Sequence, residues 1–439
     1  MEGNYEGYFW EPDRSGTPLR GRLTWAASQG GDLVLEGAIV GSDVLPKHDL
    51  LLGRTLDGTP IVLFDAFAYH FSFASRETQR WRINRALVGT SDPQPAVSAG
   101  SLRLDGLRLF YGQTGISVVG PTTSQGPVTI SWTPDSAVTT VPLPEGELRF
   151  ATHRELDVSD DVAQVRHDVS LECTPRRAAV FSEPSEALHQ VAALIEFLAD
   201  RPFQVARETF TDCEGYEVDY LYRPVLGVSP DRPDRFWLRF DDVQPNLAVA
   251  VARWTELSVG RREMVDLLVE EVRFSRRTNT IDRVLRLSRI VELLHRARHP
   301  DAVPPVSDET ERIEIVLREV GEENRRWLAG RLGRDQVRLR QRVAELIADL
   351  DGSLDAALVE PDEFAAMVTR TRNWHTHYTN NKGTAAGFDS HTLAMRLWLV
   401  VRASILVELG WTAQEAGRLI AKDPYVAWLA DRPLLTSDG

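Results

Sequence analysis

Lysine is almost missing from this chain. Three occur in 439 residues, at positions 47, 382 and 422, so arginine carries nearly all the positive charge. A guanidinium is planar, permanently charged and able to grip two oxygens of a phosphate or carboxylate together. The same bias means that one arginine taken alone says little. Cysteine is scarcer still: Cys173 and Cys213 lie forty positions apart. That spacing excludes a zinc finger or a disulfide framework and predicts a reducing compartment, the cytoplasm. The most apolar run, Leu393 to Trp411, is interrupted by Arg396, Arg402 and Glu408 and reads as a buried helix, so no membrane is expected. The opening Met1-Glu-Gly-Asn-Tyr-Glu is acidic and polar, unlike a secretory signal. Phosphate-loop, nucleophile-elbow and metalloprotease motifs are missing too, and no cofactor is expected.

A net charge of −14 argues against a nucleic-acid partner, but the charge is unevenly spread. From Arg273 to Arg298 there are eight arginines against two acids, and from Arg325 to Arg342 seven against one. Basic helices in an acidic chain fit RNA at one face, with Arg283, Arg286 and Arg289 as candidate contacts. Solvated helix faces explain the same runs equally well.

The punctuation of the chain predicts an α+β multidomain protein. Residues 1–180 alternate short β-branched runs with Gly, Pro, Asp and Ser, among them 33–40, 60–64, 102–110, 128–132 and 147–150. Such spacing predicts a β-rich, sandwich-like or barrel-like domain. A helix is expected from Ser182 to Ala199, then strands at 217–222 and 236–240, within a mixed connector covering 181–278. Beyond it the chain is helical: 247–257, 260–277, 281–298, 308–329, 334–350, 361–378, 389–409 and 412–421. An all-α bundle is expected over 279–432. Helix 389–409 is apolar almost all round, which places it at the centre of its bundle or against a partner subunit.

One stretch of the helical part carries chemistry. Thr369-Arg-Thr-Arg-Asn-Trp-His-Thr-His-Tyr378 contains Arg372, Asn373 and His377. Asn373 and His377 are four apart and share a helix face, with Arg372 flanking it. Arg370 and His375 repeat the spacing of Arg372 and His377, but Thr371 follows Arg370 where a polar amide follows Arg372. The later pair is preferred, with Arg370, His375, Tyr378 and Glu292 as possible auxiliaries. Tyr378 and Lys382 form a polar exit from the motif that suits RNA or plain solvent.

This Arg-Asn-x-x-x-His pattern resembles the active-site motif of HEPN ribonucleases. More specifically, the chain resembles the ApeA-like antiphage proteins, an ApeA N-terminal domain followed by a HEPN domain. The helix from Ile281 to Arg298 with Glu292 inside it, the core Thr371–Tyr378 and the closing Leu406-Val-Glu-Leu-Gly-Trp411 match the HEPN part. Gly7-Tyr-Phe-Trp10, Leu19–Leu23, Leu33–Gly37 and Leu52–Gly58 match the N-terminal companion. The resemblance implies an RNA-cleaving protein of abortive infection that works as a homodimer through the HEPN domain, with RNA (for example tRNA) as substrate. An arginine beside a histidine suits metal-independent cleavage. Because such an activity must be restrained in a healthy cell, a phage-derived trigger is expected at the large N-terminal domain, which lacks catalytic groupings. The alternative is a non-catalytic HEPN-type protein that dimerises and binds RNA.

The residue chemistry agrees with the first expectation. Cutting RNA without a metal needs a base for the ribose 2′-hydroxyl, an acid for the leaving 5′ oxygen and a cation for the crowded phosphorus. A histidine titrates near neutrality and serves as base or acid. Each motif offers one histidine in this register, so a second copy across a two-fold axis completes the pair. His295 and His299 have metal-ligand spacing, but no third ligand accompanies them, and a surface pair is expected. The isolated His48, His70, His153 and His167 are assigned no chemistry.

Overall fold

The computed structural model describes residues 2–26, 29–39, 47–72, 78–112, 116–119, 129–132, 139–158, 163–223, 237–302, 308–331, 337–358, 360–377, 384 and 388–432. The chain forms two compact units, Met1–Ala252 and Arg253–Gly439.

The first unit begins with six antiparallel strands: β1 (Glu2–Trp10), β2 (Leu19–Ala26), β3 (Gly30–Glu36), β4 (Lys47–Thr55), β5 (Pro60–Ser72) and β6 (Thr78–Val88). They pair in the order β6-β3-β2-β1-β4-β5, and β5 pairs back to β6, so the ring closes as a barrel. Closure satisfies the backbone groups that an edge strand would leave open. Side-chain alternation fills the interior: β2 turns Gly21, Leu23 and Trp25 inward and Arg20, Arg22 and Thr24 outward. Phe9, Leu33, Leu35, Leu51, Leu63 and Trp81 complete an apolar core. At the β1–β4 seam Gly7 faces Thr55, and a methyl on Gly7 would sit 2.2 Å from the Arg54 carbonyl oxygen.

Further along come β7 (Ala96–Asp105), α1 (Leu107–Tyr111), β8 (Ile116–Val119), β9 (Thr129–Trp132), β10 (Thr140–Leu143), β11 (Gly146–Val158), β12 (Ala163–Pro175), β13 (Ala179–Val180), α2 (Ser182–Ala199), β14 (Gln204–Asp212) and β15 (Glu217–Tyr222). β6 joins the two halves of the sheet. Its residues 78–83 pair with β3, and its residues 85–88 pair with β15 instead. From β15 the sheet continues through β14, β7, β12, β11 and β10, while β8 and β9 form a separate hairpin. Ile61, Val62 and Leu63 of β5 are therefore buried on both faces. Ile61 and Leu63 point into the barrel, and Val62 meets Leu87, Val97, Phe181, Phe210 and Val218 of a second core. A strand covered on both faces reads as a continuous apolar run rather than an alternation.

Two expectations in this unit are corrected. No strand forms in the described part of 236–240: Trp237 and Leu238 are buried in a bend and Phe240 begins α3 (Phe240–Val243). The Asp242 carboxylate accepts from the Arg239 amide at 2.9 Å, which turns the backbone into a helix start. Phe240 then closes an aromatic cluster with Phe110, Tyr111 and Phe150. The strand expected over 102–110 stops at Asp105, where Gly106 at φ 93° turns the chain into α1.

α4 (Leu247–Gly260) carries the chain from one unit into the next. The second unit then holds α5 (Arg262–Phe274), α6 (Thr280–Arg298), α7 (Asp308–Glu319), α8 (Glu322–Arg331), α9 (Leu339–Ala348), α10 (Asp355–Leu358), α11 (Pro361–His377), α12 (Phe388–Glu408), α13 (Ala413–Ile420) and α14 (Pro424–Ala430). The single helix expected over 308–329 breaks near Gly321, where the Arg325 side chain donates to the Leu317 carbonyl at 2.9 Å. α12 is central, packing on α6, α9, α11 and α13. By length and composition it could cross a membrane, but its apolar window is 83% buried inside the protein. The arginines that interrupt it are themselves buried. Arg396 donates at 2.8 Å to the carbonyls of Ala357 and Leu429, near the C-terminal ends of α10 and α14, where orphan carbonyls need donors. Arg402 pairs with Asp423 at 2.7 Å, and Asp423 caps α14 through the Tyr425 amide.

Candidate active site

α11 is anchored by its inner face. Phe364, Ala365, Met367, Val368 and Thr371 are buried, a helical spacing that leaves the next residues at the margin of the bundle. Arg372, Asn373 and His375 are half-buried, whereas Thr376 and His377 are exposed at the helix end. Residues five apart on an ideal helix are about 140° apart, and residues four apart about 40°. Asn373 and His377 therefore share one flank, and His375 leans toward the face of buried Thr371.

Arg372 is held on both sides. Its Nη2 lies 3.6 Å from Oε1 of Glu292 on α6, and its Nη1 donates to Oδ1 of Asn373 at 3.2 Å. The second Glu292 oxygen faces Arg289 at 3.6 Å, and Arg289 also donates to Glu263 of α5 at 2.9 Å. An acid–base ladder thus runs from α5 across α6 to the motif: Glu263, Arg289, Glu292, Arg372, Asn373. The guanidinium remains 31% exposed, so it is oriented without being enclosed. The helix backbone is braced as well, by the Thr376 hydroxyl on the Arg372 carbonyl at 2.7 Å.

The other sequence candidates go elsewhere. Arg370 pairs with Glu363 on its own helix, and the Trp374 ring stands edge-on to His375 at 6.4 Å. Arg283 and Arg286 both turn onto Glu271, which is 1% exposed; Arg286 meets it at 3.2 Å. Of the three α6 arginines proposed for RNA, Arg289 alone is substantially open, 42% exposed against 13% and 16%. Tyr378 and Lys382 lie outside the described residues.

His295 and His299 are not a surface pair. His295 is fully buried, with Nε2 2.5 Å from Glu345 and Nδ1 3.4 Å from Arg342 Nη1. Arginine can only donate, so Nδ1 accepts and the ring proton sits on Nε2, facing the carboxylate. His299 repeats the contact one turn on, 2.9 Å from Asp349. Burial pushes the His295 imidazole below its usual pKa, Arg342 adds to the effect, and Glu345 opposes it. Burial alone would raise the Glu345 carboxyl, but hydrogen bonds from His295 and Gln341 hold it low. The four-residue spacing of both histidines matches that of both acids across this α6–α9 seam, but nothing in the sequence said that the two helices pack together.

Comparison with known families now applies to this geometry. The model described as Apea-like HEPN matches residues 285–415, which include Glu292, Arg372, Asn373 and His377. The ApeA N-terminal domain 1 model matches residues 4–254, more than half the chain. The chain belongs to the ApeA family. That family links it to nuclease-like proteins of antiphage defence, and HEPN domains are commonly ribonucleases that dimerise and bind RNA. No curated protein and no solved structure matches the chain significantly. The matched HEPN region covers α11 and α12 completely and most of α6, and so contains the whole Arg372 ladder apart from Glu263.

Proposed function

We propose that the helical unit of this ApeA-family chain is a metal-independent endoribonuclease of abortive infection, cytoplasmic, and active as a homodimer. The observation that carries the reading is the Glu292–Arg372–Asn373 arrangement beside an exposed His377. Arg372 offers the exposed part of its guanidinium to a scissile phosphate and stabilises the charge that builds on its oxygens. A histidine removes the 2′-hydroxyl proton, and the 2′ oxygen bonds to phosphorus as the bond from phosphorus to the 5′ oxygen breaks. A second acid protonates that leaving oxygen. The products are a 2′,3′-cyclic phosphate and a 5′-hydroxyl, and no co-reactant is consumed. His377 of each subunit supplies one half of this acid–base pair.

The first unit has its own core and regulates the second, restraining it until an infection-derived trigger arrives. Purified protein incubated with tRNA and a single-stranded RNA in EDTA tests the chemistry. Wild type should release fragments ending in 2′,3′-cyclic phosphate, and His377→Ala should still bind RNA without cutting it. Cutting by both would move the role to His375. If both bind RNA and neither cuts, with lysate from phage-infected cells added, the non-catalytic reading takes its place.

A further inference from the structure

The sheet-rich unit contains a polar cluster that the motif on α11 does not use. Glu208 of β14 is fully buried. One of its oxygens accepts from the Ser185 hydroxyl at 2.6 Å, and the other lies 2.9 Å from His189 Nε2. Ser185 and His189 are one turn apart on α2, so one helix face is tied to the carboxylate. The contact between the carboxylate and the His189 ring sets the ring orientation. The Tyr222 hydroxyl is 3.2 Å from the same nitrogen, and the two rings meet edge to face at 5.6 Å. Tyr220, on the same face of β15, lies 5.0 Å from Tyr222.

Ser185, His189, Tyr220 and Tyr222 line an open cleft of about 360 Å³ together with Asn84 and Arg85 of β6 and Arg223, and Tyr222 pairs directly with Arg85 across the two strands. Arg85 is shared with Asp65 at 2.8 Å, while Arg223 is exposed and makes no ion pair among the described residues. Aromatic faces and guanidinium groups in one cleft match two different parts of a ligand. A bare anion would leave the tyrosines unused, and an uncharged aromatic compound would leave the arginines unused. A cleft of a few hundred Å³ fits a small molecule of about mononucleotide size.

We infer that this cleft binds a phosphorylated nucleoside, with the planar base against Tyr222, the phosphate on Arg223 and Arg85, and His189 orienting it. The site stands apart from the nuclease reading, and binding decides it whether or not the chain cuts RNA. Calorimetric titration of the full chain with 5′-AMP, GMP, CMP and UMP, and with inorganic phosphate and adenosine as the two halves, is the test. At least one mononucleotide should bind about tenfold more tightly than either half. Tyr222→Ala and Arg223→Ala should each weaken it by about tenfold or more without lowering the melting temperature. Tyr222→Leu, which keeps the bulk, replaces the alanine variant if that fails to fold. The proposal is overturned if no mononucleotide binds by about 1 mM. It is equally overturned if phosphate binds as well as the nucleotides, or if the variants bind like wild type.

Discussion

Arg372 illustrates how little a residue's identity says without its neighbours. In a chain where arginine is the default cation, an Arg-x4-His spacing is common, and what distinguishes this one is Glu292 on one side and Asn373 on the other. The pairing orients a planar fork, and the fork is what a lysine lacks. Arg372→Lys keeps the charge and should lower RNA cutting by about a hundredfold with the melting temperature unchanged; undiminished cutting would show that charge alone suffices. Glu292→Gln acts through Arg372 and should reduce turnover far less, while a loss as large as that of Arg372→Lys would make Glu292 a direct participant. His295 carries a prediction of another kind. Its folded pKa lies below the ordinary 6.5, so the unfolded chain takes up a proton that the folded chain refuses. Its contribution to stability is therefore complete above pH 6.5 and is lost as the pH falls below that value. The urea midpoint should drop between about pH 7.5 and pH 5, and drop less in His295→Asn. Parallel curves for the two proteins would assign the pH dependence to other groups.

At the scale of elements, α12 and the β1–β4 seam show where the bundle and the barrel are vulnerable. Arg402 and Asp423 are 1% and 7% exposed, so removing Asp423 leaves a buried charge without its counter-ion. Asp423→Ala also takes the cap from α14 and should cost about 3–5 kcal/mol, read as a lower denaturant midpoint. A change under about 1 kcal/mol would mean that water reaches Arg402 once its partner is gone. In the barrel, Gly7→Ala drives a methyl into the β4 backbone and should destabilise the closure by about 1–3 kcal/mol, seen as faster hydrogen exchange of the β1 amides. Unchanged exchange would show that β1 and β4 can separate slightly at no cost. Both features explain what the chain pattern hid. Arginines inside an apolar helix look like interruptions until the carbonyls and the carboxylate that they meet are known. A glycine in a strand is conspicuous, but the strand it must approach is not.

At the scale of the whole molecule, the proposed chemistry needs two histidines of one register and each chain provides one. Sedimentation equilibrium should give a dimer, and dilution into the monomer range should abolish cutting; full activity of a monomer would require His375 to serve as the second group. Much of this organisation was legible in the chain: a β-rich half, a helical half, and the Arg372–His377 motif near the end of its helix. Those features depend on local periodicity and spacing, which the order of residues determines by itself. The strand expected at 236–240 failed because an aromatic, β-prone run can also cap a helix, and the choice was made by the rings of Phe110, Tyr111 and Phe150. Apart from Glu292 near the motif, pairings between distant segments were beyond sequence reasoning. The β3–β6 and β1–β4 pairings, Glu292 against Arg372, His295 between Glu345 and Arg342, and Glu208 beneath His189 each join separate segments of the chain. The sequence by itself determined most of the strands and helices, because pleat and helical period act over a few residues. Only tertiary structure decided which side chains meet, because that follows from how those segments bury their apolar faces against one another.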